Sequence, residues 1–124
     1  MRVHQVAQKA TDMEVSVAFY TELLGRGPSA QFPEPPMTFF DVEGLRLMLD
    51  PKATSAIVYF SVDDVQAVID RMRPRAQVLV EPRPLFTHQD GALGPAGHVE
   101  IQGEIADPEG NVVGLIGWKE AGPA

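Results

Sequence analysis

The 124-residue chain contains no cysteine. That absence excludes a disulfide scaffold, a thiolate metal centre, an iron–sulfur cluster and a cysteine nucleophile. No apolar run approaches the ~20 residues that cross a bilayer as a helix. The opening residues, MRVHQVAQKA, lack the long apolar core of a secretory signal, so a cytoplasmic protein without a membrane partner is expected. Basic residues are scarce: 10 Lys and Arg stand against 17 Asp and Glu, a net charge of −7. A nucleic-acid partner is therefore not expected, because phosphate binding needs a concentrated basic surface. Net acidity instead attracts cationic ligands, weakly and at long range. The chain also has no Gly-rich phosphate loop, nucleophile elbow or zinc-binding helix motif.

What is present is a series of short periodic segments separated by proline and glycine. Arg2–Lys9 reads as a strand and Thr11–Leu24 as a helix, with Met13, Val17, Tyr20 and Leu24 at helical spacing. Thr11 and Glu14 have capping-box spacing, and Gly25 is placed to end the helix. Residues 27–36, rich in proline, read as a short edge strand or loop. Met37–Val42 and Leu45–Asp50 form a hairpin in which Leu45, Leu47 and Leu49 share one face and Arg46, Met48 and Asp50 the other. The order then recurs. Ala56–Ser61 is a strand. A helix follows with Ser61 and Asp64 at capping-box spacing and an apolar stripe of Val65, Val68, Ile69 and Met72. Gln77–Val80 is a strand, residues 82–97 a long loop, and His98–Ala106 with Asn111–Gly117 a final hairpin.

Asp64-Val65 follows Asp12-Met13 by 52 residues, and the turn Asp107-Pro108-Glu109-Gly110 follows Asp41-Val42-Glu43-Gly44 by 66. Each turn has Asp first and Gly fourth, which suits a type I turn closed by a left-handed glycine. The expected fold is thus α+β: one domain over residues 1–124 built from two βαβββ modules, about 1–52 and 53–119, whose mixed sheets enclose a cleft.

Thr11-Asp12-Met13-Glu14 through Phe19-Tyr20 and Leu23-Leu24-Gly25 resembles the pattern D-L-x-x-S-x-x-F-Y-x-x-x-L-G of the vicinal oxygen chelate superfamily. Val62-Asp63-Asp64-Val65 and Asp107-Pro108-Glu109-Gly110-Asn111, similar to that family's D-P-D-G-N turn, extend the resemblance over nearly the whole chain. The family includes glyoxalase I, methylmalonyl-CoA epimerase, extradiol dioxygenases and bleomycin-resistance proteins, so the resemblance specifies a fold more than a function. It implies a homodimer. In its metal-dependent members four ligands come from four strands, and residue by residue these positions fall on Gln5, Met48, Ile57 and Gly114. Only Gln5 offers a hard oxygen donor; Met48 has a soft thioether and the other two have nothing. No metal and no cofactor are expected. A one-residue slip would bring His4 to the first position, but on the opposite face of its strand.

Phe39, Met48, Ile57 and Tyr59 would then make an apolar cleft floor beside Gln5 and Gly114, suited to a small organic ligand, aromatic or cationic. Trp118 is placed to stack on a planar ligand or to sit at an edge or dimer contact. His98, Glu100, Gln102 and Glu104 alternate with Val99, Ile101 and Ile105, so the four polar groups share one side of a strand, facing either the cleft or solvent. Glu100 and Glu104 are the candidate general bases of a metal-free enzyme. His88 lies in a loop that is either a lid carrying a catalytic histidine or a solvated connection. Two functions remain: a drug-sequestering or other binding protein without metal, or an isomerase or lyase using a carboxylate base, with a metal relocated elsewhere in one variant of that reading. A redox-iron dioxygenase lacks its histidine-and-carboxylate triad.

Overall fold

The computed structural model describes residues 3–122, so Arg2, at the start of the first expected strand, lies outside the described residues. The chain divides into two compact units, Val58 marking the start of the second; Asp107–Asn111 belongs to the first. The first unit contains β1 (Gln5–Lys9), α1 (Met13–Leu24), β2 (Ala30–Pro33), β3 (Pro36–Val42) and β4 (Leu45–Asp50). The second contains β5 (Val58–Ser61), α2 (Val65–Met72), β6 (Gln77–Thr87), β7 (His98–Ala106) and β8 (Val112–Glu120). Each forms a four-stranded mixed sheet, β1-β4-β3-β2 and β5-β8-β7-β6, with one helix: an α+β architecture built twice.

The repeat survives at the level of strand register. The parallel β1–β4 pair places Ala7 beside Met48, and the parallel β5–β8 pair places Tyr59 beside Gly114. Those positions are related by the same two sequence offsets, so the correspondence read from the sequence is also a spatial one.

In the first unit α1 covers one face of its sheet. Phe19, Tyr20 and Leu23 are buried with Phe40, Leu47 and Leu49. The Phe19 and Tyr20 rings meet edge to face at 5.0 Å. Each such side chain contributes roughly 1.5–3 kcal/mol by leaving water. The buried stripe also contains Ser16, so it is rotated from the expected one: Met13, Val17 and Leu24 are only half-buried. The cap is Asp12 rather than Thr11, its carboxylate accepting from Val15 N at 3.3 Å. Thr11 instead donates to Glu109 Oε1 at 2.6 Å. Gly25, at φ 71°, closes the helix as expected.

The Asp107–Asn111 turn is held by polar contacts within the first unit. Asp107 Oδ2 accepts from the buried Tyr20 hydroxyl at 2.8 Å, and Asn111 Nδ2 donates to Lys9 O at 2.9 Å. Burial, then the Asp107 charge, pushes the Tyr20 hydroxyl far above its ordinary pKa. Gly110, at φ 84°, donates to Asp107 O at 3.0 Å, the expected type I closure. The first hairpin differs. Val42 pairs with Leu45, leaving only Glu43 and Gly44 at φ 49° and 91°, a two-residue turn with both residues left-handed.

In the second unit Val65, Ile69 and Met72 of α2 pack with Ile105, Val113 and Leu115. A Cβ at Gly103 would collide with Ile69 Cδ1, so this glycine lets the helix sit directly on β7. Asp64, not Ser61, caps α2 by accepting from Ala67 N at 3.0 Å. The main departure is β6, which runs to Thr87 where the sequence suggested a loop from Pro82. Its prolines are tolerated because β6 is an edge strand with three register shifts against β7.

Candidate ligand sites on the open sheet faces

Each sheet has a second face, turned away from its helix. Paired strand residues share a face, so the register assigns the open face of the first sheet to Gln5, Ala7 and Lys9 of β1, Arg46, Met48 and Asp50 of β4, and Met37 and Phe39 of β3. Gln5 and Arg46 are directly paired there. Gln5 Oε1 accepts from Arg46 Nε at 2.9 Å and from Nη2 at 2.7 Å. Gln5 Nε2 points to Met48 Sδ at 3.8 Å. The Arg46 guanidinium lies 5.4 Å from the Phe39 ring centroid, and Phe39 meets Phe32 edge to face at 5.9 Å. Polar Gln5, apolar Met48 and aromatic Phe39 are thus brought together around Arg46, whose role the sequence reading missed. Only the register reveals that it reaches Gln5. Ile57 precedes β5 and is 52% exposed, outside any strand.

On the second sheet, Tyr59, Gly114, Glu104, Gln102, Glu100 and Trp118 occupy one open face, as the alternation predicts. The Tyr59 ring covers Gly114: a Cβ there would run into Cδ1, Cε1 and Cγ of that ring. Glu100 is buried, and both its oxygens are engaged. Oε1 lies 2.9 Å from His88 Nε2, and Oε2 accepts from Gln102 Nε2 at 2.5 Å. His88 is only 4% exposed. Its ring lies 4.4 Å from Phe86 and 5.2 Å from Trp118, centroid to centroid. Gly94 closes the cage, since a Cβ there would approach Trp118 and His88 carbons to 2.7 and 2.9 Å. His88 is therefore a packed, hydrogen-bonded group rather than part of a solvated connection. The shifts in β6 turn Val80, Arg83 and Phe86 to the same face as Glu104, Gln102 and Glu100. Glu104 is half-exposed beside Gly114. His98, at the sheet's end, sets Nδ1 3.1 Å from Ala96 O.

The profile of the Glyoxalase/Bleomycin resistance protein/Dioxygenase superfamily matches residues 2–115. The chain belongs to that superfamily. Solved structures agree on the fold. A glyoxalase-related enzyme from Fulvimarina pelagi superposes with a TM-score of 0.70 at 19% identity, over 94% of this chain and 87% of that one. A lactoylglutathione lyase from Agrobacterium tumefaciens gives 0.68 at 20%, over 94% and 92%. A glyoxalase/bleomycin resistance protein from Albidiferax ferrireducens T118 gives 0.65 at 21%, over 92% and 97%. No curated protein matches the chain.

Metal-dependent members of this superfamily raise the question of whether Gln5, Met48, Ile57 and Gly114 suit a divalent ion. They do not. The single hard donor, Gln5 Oε1, already accepts twice from a guanidinium whose charge opposes a cation. Met48 offers a thioether, Ile57 an alkyl group, and Gly114 lies under the Tyr59 ring. Among the described residues, no group of three or more His, Asp or Glu side chains is arranged to hold a metal elsewhere.

Proposed function

We propose that this superfamily member binds a small organic molecule on its open sheet faces without a metal, in the manner of a drug-sequestering protein. The observation that carries the reading is the Gln5–Arg46 contact: the oxygen best suited to an ion is committed to a cationic side chain. In the first unit Phe39 and Met48 supply half-buried apolar surface and Ile57 more exposed surface; in the second, Tyr59 is likewise exposed. Such surface with a few fixed polar groups suits an organic ligand. Gln102, Gly114 and Trp118 belong to the same reading on the second sheet. The proposal includes a cytoplasmic homodimer, which fractionation and sedimentation test. A thermal-shift screen of aromatic and cationic compounds, run with and without a chelator, tests the binding: stabilisation that survives chelation is expected, and stabilisation that requires added divalent ions overturns it.

A second reading, a metal-free isomerase or lyase, draws support from the buried His88–Glu100–Gln102 chain. Glu100, held from both sides, would act by orienting His88. Glu104, half-exposed beside Gly114, is the carboxylate with room to take a proton. Neutralising a base costs ~10²–10⁴ in rate. Conversion of a bound compound by wild type, lost in Glu100→Gln or Glu104→Gln with binding kept, would establish this reading over the first. Binding without conversion in all three proteins would remove it.

A further inference from the structure

We infer that the open face of the first sheet is a site for a carboxylate on a flat apolar body, with Arg46 holding the anion; this rests on the ligand-binding reading above and names the ligand class. Arg46 is exposed yet fixed. Two of its five N–H groups go to Gln5 Oε1, and the guanidinium is backed by the Phe39 ring at 5.4 Å. Its other three N–H groups are two on Nη1 and one on Nη2, and one from each nitrogen makes the planar end-on fork that matches the two oxygens of a carboxylate.

Among the described residues, no carboxylate forms an ion pair with Arg46. Asp41 stands directly opposite on β3, but its Oδ1 accepts from Gly44 N at 3.1 Å and its Oδ2 is 3.4 Å from Arg26 Nη1. Among the side chains placed here, Lys9, Arg26 and Arg46 against Asp41 and Asp50 leave a positive surplus. The net charge of −7 repels an anion at a distance, but at contact the hydrogen-bonded guanidinium dominates, because screening weakens the distant charges first. Beside the cation, Met48, Met37, Phe39 and the 49% exposed Phe32 offer an apolar surface for the rest of the ligand. A compound with an ammonium group, the class that overall acidity suggests, would meet Arg46 as a like charge.

The test uses three probes of one shape and different charge: 2-naphthoate, 2-naphthamide and 2-naphthylmethylammonium. Affinities are measured by titration calorimetry or ligand-observed NMR in chelated buffer. Wild type should bind the acid tighter than the amide by about tenfold or more, the size of a charge-assisted hydrogen bond to a carboxylate, and the ammonium most weakly. R46M should erase the acid's preference over the amide. R46K, which keeps charge without the planar fork, should keep part of it. Equal binding of acid and amide, an acid preference that survives R46M, or tighter binding of the ammonium overturns this inference and leaves the binding reading intact. Binding of none of the three overturns both. A dimer split by R46M, with no naphthoate binding, would assign the face to a second copy and overturn the inference.

Discussion

Gln5 and Arg46 face each other across the β1–β4 pair and share a single amide oxygen, at 2.9 and 2.7 Å from two guanidinium nitrogens. A neutral acceptor that could serve an ion instead fixes a cation.

Ile57→Asp separates site from core. Ile57 is 52% exposed, so the variant should melt within a few degrees of wild type, as surface changes usually stay within about ±0.5 kcal/mol. Binding of any ligand lying on Ile57 should be lost. Unfolding of the variant in a thermal melt would show that Ile57 supports the core after all.

Gly114→Ala forces a methyl group into the Tyr59 ring. The expected cost is about 1–3 kcal/mol, the usual range for overpacking. Tyr59→Ala in the same chain should recover most of it, because the two positions are in contact and their effects couple. Urea denaturation of the two single variants and the double gives the coupling directly. Strict additivity would mean that the ring does not cover Gly114.

His88→Leu leaves Glu100 Oε1 buried without its hydrogen-bond partner. A loss of roughly 1–3 kcal/mol or more is expected. Replacing both residues by Leu should cost less than the single change, since neither partner of the buried hydrogen bond is then left without the other. If His88→Leu leaves the denaturation midpoint unmoved, the buried pair is not holding this sheet together.

Glu109 is held below the usual glutamate range chiefly by the Thr11 hydroxyl hydrogen bond, then by the backbone of Thr11 and Asp12. Its contribution to folding is therefore complete above the ordinary value of roughly 4.3 and disappears as pH falls through its lower folded value. Melting temperatures of wild type and Glu109→Gln should differ at pH 7 and converge in acid. The group is on the surface, so the gap should be small and shrink with salt. A gap that stays constant from neutral to acid pH would remove the Thr11 contact as its source.

The repeat was legible because two independent spacings, of the helix starts and of the hairpin turns, reappear as equivalent neighbours: Ala7 beside Met48, Tyr59 beside Gly114. The polar row on β7 was legible from alternation alone. Other features depend on contacts that no local pattern encodes. Pro82 and Pro84 read as strand breakers, yet they sit on an edge strand whose shifts absorb them. His88 gave no sign of burial, which comes from Phe86, Glu100 and Trp118 on three different strands and from Gly94 in its own loop. Arg46 was placed on the right face, but its contact with Gln5 needed the register of a parallel pair 41 residues apart in sequence. The helix caps were missed by one position at Thr11 and by three at Ser61, since in both cases a nearer Asp offers the stronger acceptor.

Metal content tests the central claim most directly. Purified protein is dialysed against Zn²⁺, Ni²⁺, Co²⁺ or Fe²⁺ in turn, desalted, and analysed by mass spectrometry of its elements. The account predicts far less than one ion per chain in every case, with no change on Gln5→Ala. One tightly held ion per chain, lost when Gln5 is replaced, would contradict it.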